Sequence, residues 1–405
     1  MSKSASDQPA PSSSAIAEPL EILLIFLRLG CTCFGGPIAH LGYFRAEFVQ
    51  RRQWLTEQAY TDLVALAQFL PGPASSQTGF AIGLLRGGLL GGLAAWTGFT
   101  LPSAAILVLF AYGAGSIASS HAGAGLLHGL KLVAVAIVAQ AVMGMARTLC
   151  PDRIRASIAT IALVVMLIAP WSIFQLGTIL AGGIAGWLLC RGEAGPQTDR
   201  LVIPVSPRFG AVCLVAFFLL LAVSFVPMRA GAMALFDAFY RSGALVFGGG
   251  HVVLPLLRNA VVVPGWVSDN SFLAGYGAAQ AVPGPLFTFA AYLGAVAGVA
   301  PGGILGALIA LVAIFIPGIL CLLGALRFWH ALSLHPAAKA AMHGTNAAVV
   351  GLLGAALYSP VWTSAVQNPA DFAIAAAAFV LLVAWRAPPL LVVALCAVAG
   401  VVLSA

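Results

Sequence analysis

Prolines, glycines and arginines inside apolar sequence are the residues with which this chain could bind a ligand. Gln-Phe-Leu-Pro-Gly-Pro begins at Gln68, and Gln-Ala-Val-Pro-Gly-Pro begins at Gln280, about 212 positions later. Proline cannot donate a backbone hydrogen bond and glycine tolerates positive φ, so neither segment continues a helix. Apolar helical sequence nevertheless flanks both segments. Interrupted apolar helices at corresponding places in two halves of a chain are typical of a transporter's binding site.

Two glycine-rich breaks could bind a ligand in the same way. The first is Gly35-Gly36-Pro37, and the second is Gly248-Gly249-Gly250 followed by His251. A glycine loop that opens onto a helix N-terminus presents backbone N–H groups and the positive end of the helix dipole, which together favour an anion. The alternative explanation for each glycine cluster is close helix packing. For His251 the alternative is a packed or interfacial histidine.

Three cationic residues lie within apolar sequence, namely Arg28, Arg241 and Lys131. A charge at the centre of a bilayer costs about 3 kcal/mol on insertion scales, so it usually faces a cavity or a partner. Arg28 and Arg241 occupy equivalent positions of an internal repeat, which favours function. They could instead pair with carbonyls near a helix end, and Lys131 could extend to the membrane interface. Acidic residues are nearly absent from the apolar segments, which favours an anionic over a cationic substrate.

These features together define the candidate site. The predicted substrate-binding residues are Arg28, Gly35, Gly36, Gln68, Pro71, Gly72, Pro73, Gln77, Lys131, Arg241, Gly248, Gly249, Gly250, His251, Gln280, Pro283, Gly284 and Pro285. Ser75, Ser76 and Thr288 could add hydrogen bonds. We predict no catalytic residue, no metal site and no cofactor, because the chain has no Walker A sequence, no nucleophile motif and no paired ligand spacing.

The interrupted segments belong to a repeat that extends over most of the chain. Residues that recur in order about 213 positions later include Phe26, Arg28, Gly30, Phe34, Trp54, Pro102 and Gly129, which match Phe239, Arg241, Gly243, Phe247, Trp266, Pro317 and Gly344. A dozen such matches in order indicate a duplication. We predict a disordered tail over 1–19, a first membrane repeat over 20–190, a polar linker over 191–208 and a second membrane repeat over 209–405.

Composition places the chain in a bilayer. It is 61% hydrophobic and only 8% charged, against about 25% charged residues in an ordinary soluble domain. The arms on either side of the first Pro-Gly-Pro, 59–70 and 74–85, are too short to cross about 30 Å at about 1.5 Å per residue. The sequence therefore predicts an all-α polytopic membrane protein with broken or re-entrant helices and about 10–13 membrane segments.

Basic residues predict how the two halves are oriented. If the breaks return the chain to the side from which it entered, fourteen basic residues lie on one face and two, Arg229 and Arg258, on the other. The positive-inside rule makes the first face cytoplasmic, together with the linker 191–208. The two halves are then an inverted repeat. No basic run with interleaved aromatic residues lies outside the apolar sequence, so no nucleic-acid partner is predicted.

The motifs resemble those of the chromate ion transporter (CHR) family in its long, two-domain form. They are Phe-Gly-Gly-Pro at Phe34, Arg-Arg-x-Trp at Arg51, Phe-Gly-Gly-Gly-His at Phe247 and the two Pro-Gly-Pro segments. The resemblance implies a bacterial inner-membrane protein that exports chromate and confers resistance, driven by the membrane potential or a proton gradient. Sulfate, a similar tetrahedral dianion, stays open as a substrate, and a homodimer as an assembly. A passive anion channel and a membrane-embedded redox enzyme are the alternative functions.

Overall fold

The computed structural model describes residues 18–34, 36–118, 120–169, 172–190, 206–226, 230–247, 252–333 and 335–404. Within these ranges the regular secondary structure is helical throughout, as the sequence predicts. Pro19, which we expected to end the N-terminal tail, is already the first residue of a helix. The predictions for the rest of the tail, for Gly35, for residues 248–251 and for most of the linker lie outside the described residues.

The helices of the first half follow the order that the sequence predicts, and the first of them is interrupted before α2. The bounds are α1 Pro19–Thr32, α2 Gly36–Phe44, α3 Glu57–Phe69, α4 Ala74–Ala118, α5 His121–Leu149, α6 Arg153–Ile168 and α7 Ser172–Leu189. A π-helical turn, Arg45–Arg51, follows α2. Helix α8, Pro207–Val223, comes next and has no counterpart among the described residues of the first half.

The second half repeats this order. Its bounds are α9 Gly231–Ala244, α10 Val253–Leu257, α11 Asp269–Ala281, α12 Phe289–Val296, α13 Gly303–Ser333, α14 Pro336–Ala356, α15 Thr363–Ala365, α16 Pro369–Val383 and α17 Pro389–Ser404. Equivalent details recur. The π-helical turn Arg258–Val262 follows α10, and its ion pair between Arg258 and Asp269, at 3.0 Å, repeats the 2.6 Å pair between Arg45 and Glu57.

Helix α4 reverses direction at Gly87 and Gly88, whose backbone angles are non-helical. The two arms of α4, residues 74–86 and 89–118, therefore pack against each other. A Cβ added to Gly83 would lie 2.3 Å from the carbonyl oxygen of Gly91, a distance that only two glycines in contact allow. In the second half Gly294 meets Gly306 at the same 2.3 Å, between α12 and α13. Both Pro-Gly-Pro segments thus lead into a tight helical hairpin.

The terminal hairpins of the two halves are exchanged. Helix α5 of the first half packs against α16 and α17 of the second, whereas α14 packs against α6 and α7 of the first. Glycines allow both crossings. A Cβ at Gly129 would lie 2.1 Å from the carbonyl oxygen of Cys396, and one at its repeat equivalent Gly344 would lie 2.1 Å from that of Gly182. The halves are therefore not two separately packed units, which the sequence pattern does not reveal.

Four helical stretches of the described chain are long and apolar enough to cross a membrane: Ala74–Gly113, His121–Leu149, Gly303–Leu326 and Pro336–Ala365. The first of them contains the reversal at Gly87 and Gly88. Shorter apolar helices, including α8, α16 and α17, accompany them. Large apolar side chains such as Ile168, Leu180 and Val212 are exposed on the outer surface. Lipid tails can cover such side chains, as expected of a polytopic membrane protein.

Candidate anion site between the two halves

The two Pro-Gly-Pro turns connect the halves through equivalent hydrogen bonds. The N–H of Gly72 donates to the carbonyl oxygen of Val246, at 2.8 Å, and the N–H of Gly284 donates to that of Cys33, at 2.9 Å. Val246 and Cys33 are repeat equivalents, and they follow the equivalent helices α9 and α1. Each turn therefore lies at the break of the other half. This reciprocity relates the halves by a pseudo-twofold axis.

Both turn glycines have backbone angles that other residues rarely adopt. The φ angle is +119° at Gly72 and +101° at Gly284. A Cβ on Gly72 would lie 2.9 Å from the Cα of Gly318, and one on Gly284 would lie 2.9 Å from the Oγ of Ser103. Ser103 and Gly318 are themselves repeat equivalents. The prediction that glycine is needed at both turns rests on these contacts as well as on conformation.

Gln77 closes the first turn. Its Nε2 donates to the carbonyl oxygens of Pro71 and Gly318, each at 2.9 Å, and the side chain is buried. An amide nitrogen carries two hydrogens, so both are used in these bonds. Gln77 was predicted as a ligand donor, but the structure places its donors in the link between the halves. Pro71, Gly72 and Pro73 are likewise buried.

A polar cluster extends from the second turn through Ser103 and Phe99. The His40 side chain, which is 1% exposed, places Nδ1 3.4 Å from the Oγ of Ser75. Its ring lies perpendicular to that of Phe99, with ring centres 5.2 Å apart. The carbonyl oxygen of Phe99 and the side chain of Ser103 both lie against Gly284. The Oγ of Ser103 donates to the carbonyl oxygen of Thr100, at 3.1 Å. Among the described residues, neither the Nε2 of His40 nor the Oγ1 of Thr100 has a hydrogen-bond partner.

Sequence reasoning did not select His40, Thr100 or Ser103. A single histidine four residues into α2 carries no ligand spacing and is indistinguishable from a packed core residue. One signal was present: the repeat places Val253 where the first half has His40. A polar residue whose repeat equivalent is apolar marks a position that packing alone does not explain.

The predicted cations are not brought to the turns. Arg28 lies on the exposed side of α1, without a side-chain partner in the described part of the chain. Arg241 donates to the carbonyl oxygen of Ser224 at the end of α8, at 3.1 Å, and its guanidinium lies 5.2 Å from the Phe225 ring centre. Arg241 therefore makes the contact that the sequence analysis gave as the alternative to substrate binding, namely a bond to a carbonyl oxygen near a helix end. Lys131 donates to the Oδ1 of Asn270, at 3.2 Å.

The remaining predicted residues take varied positions. Gly36 begins α2 with φ +77°, and a Cβ there would meet nothing within 4 Å. Gln68 is exposed at the end of α3, whereas the Nε2 of its equivalent Gln280 is buried without a partner among the described residues. Pro283 and Pro285 are buried. A cavity of about 590 Å³ lies elsewhere, between α6, α7 and α14, but its lining is mostly apolar and unsuited to an anion.

Two repeated halves, exchanged apolar hairpins and interrupted helices that meet between the halves define a polytopic membrane transporter. Comparison with known proteins identifies the family. The chromate transporter family model matches residues 20–187 and 233–401. The chain therefore belongs to the chromate transporter family.

Curated relatives agree with this assignment. The chain is 29% identical over 385 residues to the chromate transport protein of Pseudomonas aeruginosa, covering 93% of this chain and 90% of that protein. It is 25% identical over 360 residues to the chromate transport protein of Cupriavidus metallidurans, covering 86% and 84%. It is also 39% identical over 118 residues to the uncharacterized transporter YwrB of Bacillus subtilis, covering 29% of this chain and 57% of that protein. No solved structure matches the chain.

Proposed function

We propose that this protein exports chromate from the bacterial cytoplasm by secondary active transport and thereby confers resistance. The names of the relatives from P. aeruginosa and C. metallidurans support the substrate. The observation that carries the transport pathway is the reciprocal pair of hydrogen bonds from Gly72 and Gly284. In this proposal the pathway runs between the halves, where the interrupted backbone and its polar neighbours replace water around the anion.

The hydrogen bonds at the turns suit a carrier that opens alternately to either side. Each bond between amide and carbonyl stabilises the closed arrangement by only about 1 kcal/mol. Breaking one turn's bond while the other persists would expose the site to one side of the membrane, and the pseudo-twofold relation makes both openings similar. We propose that the halves are inverted across about 10–13 membrane segments, with the linker 191–208 in the cytoplasm and the protein in the inner membrane.

The membrane potential alone could drive export of a dianion. Each elementary charge that crosses the membrane contributes about 2.3 kcal/mol per 100 mV, so a dianion leaving a negative interior gains about 4.6 kcal/mol. That corresponds to a concentration ratio of roughly a thousandfold. A proton gradient is the alternative energy source. Sulfate has the same charge and shape as chromate and stays the alternative substrate, and a passive anion channel the alternative mechanism.

Uptake of labelled chromate into everted vesicles tests the proposal. We expect saturable uptake that follows an imposed inside-positive potential, and partial competition by sulfate at higher concentration. Vesicles containing the Gly284→Leu variant are the matched control, since a side chain there would meet Ser103 and Phe99. Uptake that rises linearly with chromate concentration would favour the channel. No difference from vesicles without the protein would exclude chromate transport.

A further inference from the structure

The two turns are equivalent in backbone but not in the side chains around them. The repeat pairs His40 with Val253, Ser75 with Phe287, Thr100 with Phe315 and Ser103 with Gly318. Every polar member of these pairs belongs to the first half. Ser103 of this set contacts Gly284, which belongs to the second half. Thr100 is linked to Ser103 by a hydrogen bond, His40 packs on Phe99 beside the same turn, and Ser75 faces His40.

The Gly284 turn has donors that the protein leaves unused. The Nε2 of His40 and the Oγ1 of Thr100 are buried without partners in the described part of the chain. With Nδ1 of His40 facing the Oγ of Ser75, at 3.4 Å, a proton on Nε2 can be donated elsewhere. Ser75 lies in the first turn of α4, where backbone N–H groups lack helical acceptors. Leaving such groups buried and unpaired costs about 1–3 kcal/mol each, which a ligand that accepts hydrogen bonds would recover.

In the described part of the chain, the residues that replace His40, Ser75 and Thr100 on the Gly72 side are apolar. Gln77 uses both amide hydrogens on Pro71 and Gly318. Phe287 and Phe315, which replace Ser75 and Thr100, pack against each other with ring centres 5.8 Å apart. Among the described groups here, an anion would meet two aromatic rings and the unpartnered acceptor Oε1 of Gln77, against a single unpartnered hydroxyl, that of Ser76. Desolvating a dianion in such surroundings is strongly unfavourable.

We infer that the protein binds one tetrahedral oxyanion per chain, at the Gly284 turn, through His40, Ser75, Thr100 and Ser103. In this inference the Gly72 turn, closed by Gln77, joins the halves without binding substrate. The duplication thus gave two equivalent turns, and in this inference one of them keeps the polar side chains that bind the anion. This inference rests on the proposed function for the identity of the anion, chromate or sulfate.

Binding measured on purified full-length protein tests the inference separately from transport. Equilibrium dialysis with labelled chromate should give one site per chain. Thr100→Val, which removes a hydroxyl at nearly constant volume, should weaken binding at least tenfold. His40→Val, the repeat equivalent, should do the same, whereas His40→Gln should retain more affinity because its amide still donates. Val253→Ala, at the equivalent position of the Gly72 side, is the control and should bind within twofold of the native protein.

The melting temperature of each variant is measured in detergent, so that a loss of binding is not confused with a loss of folding. If His40→Val does not accumulate, Thr100→Val and His40→Gln decide the matter. Two sites per chain, or unchanged affinity in Thr100→Val and His40→Val, would overturn the single-site assignment. Failure of the proposed function would differ: the native protein would bind chromate at this one site yet accumulate none in vesicles.

Discussion

Replacing the turn glycines by alanine should destabilise the protein to different and calculable extents. At Gly284 the φ of +101° strains any L residue by about 1–3 kcal/mol. The new Cβ would also lie 2.9 Å from the Oγ of Ser103 and 3.2 Å from the carbonyl oxygen of Phe99. Overpacking of this kind typically costs about 1–3 kcal/mol. We therefore expect Gly284→Ala to lose about 2–6 kcal/mol.

At Gly72 the strain is similar, but the contacted atom is the Cα of Gly318, at 2.9 Å, and backbone yields less than a hydroxyl. Gly72→Ala should therefore be the more damaging change. A second substitution separates the two contributions. Ser103→Gly introduces the residue that the repeat has at Gly318. Combined with Gly284→Ala, it removes the hydroxyl that the new Cβ would meet and should recover the stability lost to that contact. The Gly72 side has no such remedy, because Gly318 has no side chain to remove.

Thermal unfolding in detergent, followed by the monodisperse fraction on size exclusion, measures these differences. Gly144→Ala is the matched control, because a Cβ there meets nothing within 4 Å and its φ is ordinary. The expected order of melting temperature is Gly144→Ala, then Ser103→Gly with Gly284→Ala, then Gly284→Ala, then Gly72→Ala. If Gly284→Ala has the same melting temperature as Gly144→Ala, the close contact at this turn is refuted.

Three further outcomes are expected. Cysteine labels at Gly195 should report cytoplasm and labels near Gly123 should report periplasm, and the reverse at either place would overturn the inverted topology. Because the structure brings neither Arg28 nor Arg241 to the turns, both alanine variants should export chromate at near-native rates per folded protein, and a loss graded in the order arginine, lysine, alanine would show that an arginine does meet the anion. Arg241→Ala should lower the melting temperature, since its bond to the carbonyl oxygen of Ser224 is lost. Chains split within 191–208 should accumulate only when both halves are expressed together, and a first half that is stable alone would contradict the exchanged hairpins.

Much of the fold follows from local sequence signals. The repeat, the interruptions at Pro-Gly-Pro and the reversal before residue 89 all depend on proline and glycine, which act within a few residues. The exchange of α6 and α7 with α16 and α17 could not be predicted, because the sequence of an apolar helix does not specify which other apolar helix it packs against. Gly129 and Gly344 indicate close approach of another backbone, without saying which one.

The candidate site was predictable in backbone and less so in side chains. Both turns were selected because no regular helix accommodates them. Arg241 and Lys131 were selected for charge, but each finds a nearby polar group, Ser224 and Asn270, which sequence cannot place. His40 was overlooked because its significance depends on Phe99 and Ser75, which come near it only through tertiary packing.

The exchanged hairpins also constrain how the protein is made. Helix α5 ends at Leu149, and its partner α17 begins at Pro389, about 240 residues later. At a synthesis rate of about 5–20 residues per second, roughly 10 to 50 s pass between the synthesis of α5 and that of α17, which covers it. During that interval lipid or a membrane chaperone must occupy the glycine-lined face around Gly129, and must leave it readily when α17 arrives. A chain truncated between these helices would lack the surface that packs against Gly129.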